Sequence, residues 1–261
     1  MSIAIAMIPL AKGARLSRTK TLADLNETWG LNVDPSNTAN EKGILTISFG
    51  EPFAAVAMMA APIPAEELAG PIQTSIFWPE AGKDLALSRG HLVVTMVTPL
   101  EEPIELRKWL TKVVASVLAG CEGVQGVYWA EAGILIRGDV FRKVAIGCLP
   151  DPPLPLWIDF RVGSEGDGKS AGFTHGMEAL GLMEIECEAA NESPAEFRER
   201  LGGIAAYLVA NGLVIQNGHT IGEDANERIR VVYGKSTFGH ENAVMRLEYE
   251  PVKKKSFWKR G

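Results

Sequence analysis

A row of carboxylates is the feature of this sequence whose residue types and spacing could do chemistry. Between Leu182 and Glu188, apolar and acidic residues alternate, and the acids are Glu184, Glu186 and Glu188. Alternate residues of a β-strand share one face, with side chains about 6.5–7 Å apart. Two carboxylates at that spacing could serve a hydrolytic reaction or form part of a metal site. We therefore predict a half-buried strand that carries three carboxylates on its open face.

Two other interpretations of the carboxylate row need no catalytic geometry. The acids could lie on an ordinary solvated face and pair across strands with Arg228, Arg230 or Arg246. Each such pair would contribute only about 0.2–1 kcal/mol. The row could also be an acidic face that docks a basic partner. The solvated face is the favoured interpretation, because charged strand faces are common and a catalytic carboxylate pair is rare.

The histidines form no motif that would complete a metal site. None stands in an HxH or HExxH arrangement, and they are far apart in the chain: His91, His175, His219 and His240. His175 lies in the predicted turn before the carboxylate row, close to Glu178. His219 lies in the turn at residues 217–222, whose backbone amides could meet an anion. A purely structural role in each turn is the favoured interpretation.

Other catalytic signatures are missing from the sequence. No serine stands in GxSxG, and none of the three cysteines has a basic residue beside it. The glycine-rich residues 163–172 match no phosphate-binding loop, and Glu165 and Asp167 would repel a phosphate. We therefore expect a protein that is not an enzyme and that needs no cofactor and no metal.

The charge distribution favours a basic protein as the partner. The net charge is −6, but residues 251–261 hold five basic side chains and no acid. Residues 1–250 therefore carry 21 basic and 32 acidic side chains, a net charge of −11. Nucleic acid is excluded as the main partner, since a polyanion requires clustered Lys and Arg. The basic tail is predicted to be a solvated end, and contact with an anionic membrane is the less favoured alternative.

Cysteine usage and hydropathy favour a cytoplasmic protein. Cys121, Cys148 and Cys187 form no CxxC pair and no even-numbered framework, so we expect reduced thiols. The apolar run at Ser2–Pro9 is too short to cross a membrane and reads as a first strand. We expect no integral membrane segment, and the oligomeric state is not predicted.

The elements that must position these side chains predict an α+β fold with antiparallel sheets and helices on one face. Residues 1–100 show the order βαββαβ, which is ferredoxin-like, with a first helix that starts near Thr21. Residues 101–250 form a second α+β half, in which 156–162 and 182–188 are strands. A helix capped by Ser193 follows. Residues 251–261 are the basic tail, and one continuous domain is the alternative.

Several short motifs in this order resemble a bacterial family known only as a domain of unknown function, DUF4261. The resemblance extends upstream through Trp78, Gly90-His91 and Val127-Tyr128-Trp129, and covers most of the chain after about residue 50. Where an acidic residue is expected between Gly218 and Thr220, this chain has His219. The motifs are Pro155-Leu156-Trp157-Ile158-Asp159, Phe173-Thr174 with Gly176, Leu180-Gly181, Glu184-Ile185-Glu186, Tyr207-Leu208, Asn211-Gly212, Gly218 and Thr220-Ile221-Gly222.

The resemblance implies a cytoplasmic α+β protein without an established activity. It also implies a likeness to accessory or immunity proteins encoded near secreted toxins, as in type VI secretion. The leading hypothesis is therefore a non-enzymatic immunity-type protein that covers the active site of a toxin. A metal-dependent or carboxylate-based hydrolase and a secretion adaptor or chaperone are the alternatives. The candidate partner-binding residues are Glu184, Glu186, Glu188, His175, Glu178 and His219.

Overall fold

The computed structural model of the protein describes residues 1–41, 43–222 and 228–249. It has the predicted α+β class, and it divides into two compact units. Met1–Asp159 and His175–Gly181 form the first unit; Phe160–Thr174 and the residues from Leu182 onward form the second. The chain passes into the second unit near residue 160, not near residue 100. The basic tail at 251–261 and the predicted strand residue Glu250 lie outside the described residues.

The first unit is built on one antiparallel sheet. Its strands are β1 (Ser2–Leu16), β2 (Thr38–Glu41), β3 (Ile44–Ser48), β4 (Phe53–Met59), β5 (Gly90–Thr98), β6 (Cys121–Val124), β7 (Gly126–Trp129) and β8 (Ile134–Arg137). Its helices are α1 (Arg18–Trp29), α2 (Ala65–Thr74), α3 (Ala81–Leu85), α4 (Pro103–Gly120), α5 (Gly138–Cys148) and α6 (Leu154–Trp157). The strand order is β2-β3-β4-β5-β1-β7-β8, and β6 also pairs with β1.

This strand order corrects the ferredoxin-like prediction for residues 1–100. In the observed sheet, β4 pairs directly with β5, and β1 lies between β5 and β7. In the ferredoxin-like (split βαβ) arrangement, two strands that are joined by a helix would instead be separated in the sheet by another strand. Residue 100 is not a boundary, because β5 before it and β7 after it both pair with β1.

Helices cover both faces of the first sheet, although most of the helical mass lies on one. α4 packs on β1 and β5, with α1 and α5 beside it, over buried side chains such as Ile8 and Val94. Met7 of β1 lies opposite Tyr128 of β7 and points to the other face. There the segment of α2 and α3 adds Trp78 to the same apolar cluster. The prediction of helices on a single face therefore holds for α1, α4 and α5 only.

The structure corrects two local predictions for the first unit. α1 begins at Arg18, because Ser17 is the N-cap and its side chain accepts the backbone N–H of Lys20; Thr21 is buried inside the helix. Residues 154–157 form α6 rather than a strand, with the Nε1 of Trp157 donating to Thr111 Oγ1 at 2.9 Å. The prolines before Trp157 favour a tight turn there, because each fixes its own φ.

The second unit contains a six-stranded mixed sheet and one long helix. Its strands are β9 (Asp159–Gly166), β10 (Lys169–His175), β11 (Ile185–Ala190), β12 (Thr220–Ile221), β13 (Ile229–Lys235) and β14 (Ala243–Tyr249), in the order β12-β13-β14-β11-β10-β9. The helix is α7 (Pro194–Asn211). β14 pairs with β11 in parallel, which departs from the predicted antiparallel pattern. The predicted cap of α7 is confirmed, with Ser193 and Glu196 forming a capping box.

Among the described residues, no helix combines the length and the apolar character needed to cross a membrane.

A charged cluster holds three helices of the first unit together. The carboxylate of Asp24 on α1 accepts hydrogen bonds from Arg142 on α5, at 2.6 and 2.9 Å, and from Ser116 on α4, at 2.7 Å. Burial alone would raise the pKa of Asp24, but the hydrogen bonds and the charge of Arg142 outweigh it. The pKa therefore lies below its ordinary value of 3.8.

We expect Arg142→Met to destabilise the protein by about 2–4 kcal/mol at pH 7, because it leaves a largely buried carboxylate without its cation. Arg137→Met, at the residue that precedes the same helix, is the matched control: its pair with Asp139 is more than half exposed, and the expected loss is about 0–1 kcal/mol. Urea-induced unfolding measures both losses.

The same pair of variants gives a pH test. Because the folded-state pKa of Asp24 is depressed, its charge stabilises the fold above about pH 4, and this contribution is lost as the pH falls through the folded-state pKa. The difference between wild type and Arg142→Met should shrink below pH 4. A difference that stays constant down to pH 3 would show that the ion pair is not its source.

Candidate functional site

The predicted carboxylate row is only partly open to solvent. Glu188 is exposed, but the relative exposure of Glu184 is 1% and that of Glu186 is 0%. The prediction of an open, solvated row is therefore wrong for two of its three members. The alternation in sequence is real, but the loop between β13 and β14 supplies atoms that cover Glu186, and β10 supplies the side chain that contacts Glu184.

Glu186 organises the loop at residues 236–240. Its carboxylate accepts hydrogen bonds from the hydroxyl of Ser236 and, at 2.9 Å, from the backbone N–H of Thr237. The same Ser236 oxygen accepts the backbone N–H groups of Phe238, Gly239 and His240 at 2.9–3.1 Å. A buried carboxylate is tolerated only when it is hydrogen-bonded in this way. The Ser236 hydroxyl already uses both its proton and its lone pairs, so it is not arranged as a nucleophile.

Neither buried carboxylate pairs with the arginines proposed from the sequence. Glu184 accepts a hydrogen bond from Thr174 Oγ1 at 2.7 Å. Arg246 is the register partner of Glu186, but its guanidinium contacts Glu248 at 3.2 Å, on its own strand. It also lies 3.6–3.9 Å from the point where a Cβ on Gly234 would be, so Gly234 leaves room for it. The pairing of Glu186 with Arg246 is thus corrected in favour of loop contacts.

Backbone contacts hold the turn of His219. His219 is exposed, and its Nδ1 accepts the backbone N–H of Gln216 at 3.2 Å, while its own backbone bonds Gln216 and Val231. His175, which is half-buried, and Glu178, which is exposed, belong to the first unit. Whether any of the six predicted residues contacts a partner stays a prediction. Glu184 and Glu186 could do so only if their side chains became exposed.

A large cleft in the second unit was not predicted from the sequence. It has a volume of about 1140 Å³ and lies between α7 and residues 214–222. α7 packs its apolar stripe, which includes Phe197 and Leu201, inward. A second row of residues, three or four positions apart along α7, faces the cleft: Glu196, Glu199, Gly203 and Tyr207. That spacing is visible in the sequence and is the signal that could have revealed the cleft.

The electrostatics of the cleft are acidic. Glu192 is neutralised by Arg200, whose Nε lies 2.6 Å from its carboxylate, and it also accepts the hydroxyl of Tyr249 at 2.6 Å. Burial raises the pKa of Tyr249, and the Glu192 carboxylate raises it further, so the hydroxyl stays a donor. Hydrogen bonds from Ser193 hold the pKa of Glu196 below its ordinary value. Glu196 and the exposed Glu199 make no ion pair with a described residue, so they add negative charge to the cleft.

Apolar side chains stand beside these carboxylates. Tyr207 is 52% exposed and Val214 is 44% exposed, and Ile204 is half-buried. At Gly203, no heavy atom lies within 4 Å of where a Cβ would be, so the helix surface there is open. A surface with exposed carboxylates next to exposed apolar groups suits a ligand that combines cations with apolar or aromatic groups.

The described residues include no group of three or more His, Cys, Asp or Glu side chains that could hold a metal ion. Burial raises the pKa of the Cys187 thiol to about 11, and the charges of Glu192 and Glu188 contribute. A thiol with that pKa is almost wholly protonated at neutral pH and is a poor nucleophile.

Glu186→Gln should destabilise the second unit by about 1–3 kcal/mol, because an amide N–H₂ group replaces a buried acceptor of the Ser236 hydroxyl and the Thr237 N–H. Hydrogen exchange at the amides of residues 238–240 should become faster in this variant. Glu188→Gln is the matched control on the same strand, and its exposed side chain should change stability by no more than about 0.5 kcal/mol. Equal effects of the two substitutions would contradict the structural role of Glu186.

Comparison with known proteins places the cleft inside a recognised region of sequence. Residues 173–248 match the family model described as Domain of unknown function (DUF4261). This range contains β11, α7 and all the residues that line the cleft, whereas the resembling motifs before residue 173 lie outside it. No curated protein and no solved structure matches the chain. Over residues 173–248, the chain is therefore similar to the DUF4261 family.

Proposed function

We propose that this is a non-enzymatic protein-binding protein that holds a basic segment of a partner in the cleft along α7. The observation that carries the proposal is the pairing, in one cleft, of unbalanced carboxylates with exposed apolar side chains. The volume of about 1140 Å³ exceeds the roughly 300–1,000 Å³ typical of small-molecule sites, which favours an extended ligand such as a peptide segment.

The acidic charge of the chain supports a basic partner. Residues 1–250 have a net charge of −11. A field of one sign speeds the encounter with an oppositely charged protein and orients it before contact. The apolar groups Tyr207 and Val214 then supply short-range attraction, because they are exposed without a partner and lose water when covered.

The specific form of the proposal is an immunity-type protein that neutralises a basic bacterial toxin by covering its active site. A toxin that acts on nucleic acid needs a cationic active-site surface, and an acidic cleft is complementary to such a surface. A secretion adaptor would use the same cleft but would leave the active site of its effector open. No observation favours the hydrolase alternative, since Glu184 and Glu186 are buried and occupied by hydroxyl and amide donors.

Charge reversal in the cleft should weaken binding of a basic, aromatic peptide. The probe is a fluorescein-labelled peptide in which lysine and tryptophan alternate, followed by fluorescence anisotropy. Glu199→Lys removes an attraction and adds a repulsion of about 0.5–1 kcal/mol each, so the Kd should rise roughly five- to thirtyfold. Tyr207→Ala should also raise the Kd, because it removes exposed apolar surface from the cleft.

The control for this measurement is Glu241→Lys, which makes the same change of charge at an exposed residue outside the cleft lining. The Kd of the peptide for this variant should stay within about twofold of the wild-type value at 0.1 M salt, because charges more than about 10 Å apart are largely screened there. Equal weakening by both charge reversals would mean that the peptide senses only the net charge and would contradict the cleft as its site.

The immunity role has a separate test in cells. Expression of this chain should protect cells against a toxic protein encoded beside it, and the Glu199→Lys and Tyr207→Ala variants should protect less. A complex in which the partner keeps its full toxic activity would instead support the adaptor role.

A further inference from the structure

We infer that the basic segment of the partner binds in the cleft as an extended β-strand, which adds to the edge of the second sheet at β12. The inference rests on the proposed function, because it takes the cleft to be the site of such a segment. It adds the conformation of the segment and the pattern of side chains that it presents.

β12 lies at the edge of the second sheet and lines the cleft. In the part of the chain that the structure describes, it pairs with β13 alone. Its two residues, Thr220 and Ile221, belong to the wall of the cleft that faces α7. An edge strand presents backbone N–H and C=O groups with which another chain can pair. One wall of the cleft is therefore a sheet edge, and the other is a helix.

The hydrogen bonds of β13 show how its backbone is turned. Val231 donates its N–H to the carbonyl of His219 and accepts the N–H of Gly218, both at 2.8 Å. In an antiparallel pair, residues two apart on a strand direct their backbone groups to the same side. Ile229 therefore also directs its N–H and C=O toward β12.

The outward backbone groups of β12 belong to Thr220. Ile221 is the register partner of Ile229, so its own N–H and C=O point toward β13. Thr220 is its neighbour in sequence and points the other way, and the residue is exposed. The N–H and C=O of Thr220 can thus each form one hydrogen bond with an added strand.

The two faces of the sheet decide which side chains of an added strand meet α7. Ile221 pairs with Ile229, which is fully buried, whereas Thr220 pairs with Arg230, which is exposed. Paired residues share a face of the sheet, and the helix packs on the buried face. Successive side chains of an added strand alternate between the two faces, so every second side chain meets α7.

The spacing along α7 matches that alternation. Glu199, Gly203 and Tyr207 follow one another at intervals of four residues, which is a rise of about 6 Å. Alternate side chains of a strand are about 6.5–7 Å apart, so a strand that runs along α7 meets these positions in turn. The carboxylate of Glu199 suits a cation, and the ring of Tyr207 suits a cation or an aromatic group. The partner segment is therefore one with a basic or aromatic residue at every second position.

Backbone N-methylation of the peptide tests the strand conformation without changing the protein. The labelled lysine–tryptophan peptide is prepared in two further versions, with N-methyl groups on all its lysines or on all its tryptophans. An added strand directs alternate N–H groups at β12, so only one version loses the hydrogen bond to Thr220. We expect the Kd of that version to rise roughly tenfold or more, and the Kd of the other to stay within about threefold of the parent value. Equal changes in both versions would overturn the inference, because a helical or irregular segment does not alternate in this way.

Amide hydrogen exchange, followed by NMR, reports on β12 itself. The N–H of Thr220 should exchange rapidly in the free protein and several-fold more slowly when the peptide saturates the cleft. The N–H of Ile221, which points toward β13, is the control and should change much less. Slower exchange at Thr220 without peptide, as the protein concentration rises, would show that a second copy of the chain occupies the edge and would overturn the inference.

The inference and the proposed function fail in different ways. Tight binding of both N-methylated versions, with unchanged exchange at Thr220, would overturn the strand conformation and leave the proposed function standing. The absence of binding of the unmethylated peptide would overturn the two together.

Discussion

In the second unit, β14 runs parallel to β11, and much of the arrangement around the cleft depends on this pairing. Parallel neighbours end at the same edge of a sheet. Tyr249 at the end of β14 therefore lies near the residues that follow β11, where Glu192 accepts its hydroxyl. α7 starts two residues after Glu192, so the same edge holds the helix N-terminus and one wall of the cleft.

The same pairing explains why a charged residue can be buried in the middle of the sheet. Glu186 lies opposite Arg246 in register, yet the loop that connects β13 to β14 supplies its hydrogen bonds. An uncompensated buried carboxylate is strongly destabilising, so the loop conformation and the charge of Glu186 depend on each other. Glu186 is thus better understood as the support of a loop than as a reactive group.

Function, in this interpretation, resides on the outer stripe of α7. The inward stripe must be apolar to hold the helix on the sheet, but nothing in the fold requires exposed Tyr207 or an open surface at Gly203. A glycine inside a helix is less stable than alanine by about 1 kcal/mol, and a Cβ at position 203 would meet no atom within 4 Å, so packing does not require the glycine. Groups that the fold does not need, gathered in one acidic cleft within the region that matches the DUF4261 model, are reasonable candidates for partner binding.

Local patterns in the sequence determined the class of the fold, the capping box at Ser193 and the acidic charge of the chain. These properties follow from neighbouring residues, through periodicity and the hydrogen bonds of helix ends, and so can be read without tertiary contacts. The strand order of the first sheet could not be read this way, because many pairings are compatible with one order of elements. Burial of Glu184 and Glu186 could not be read either, since the atoms that cover Glu186 come from a loop some 50 residues later. The cleft itself exists only because the tertiary fold brings residues 214–222 alongside the outer face of α7.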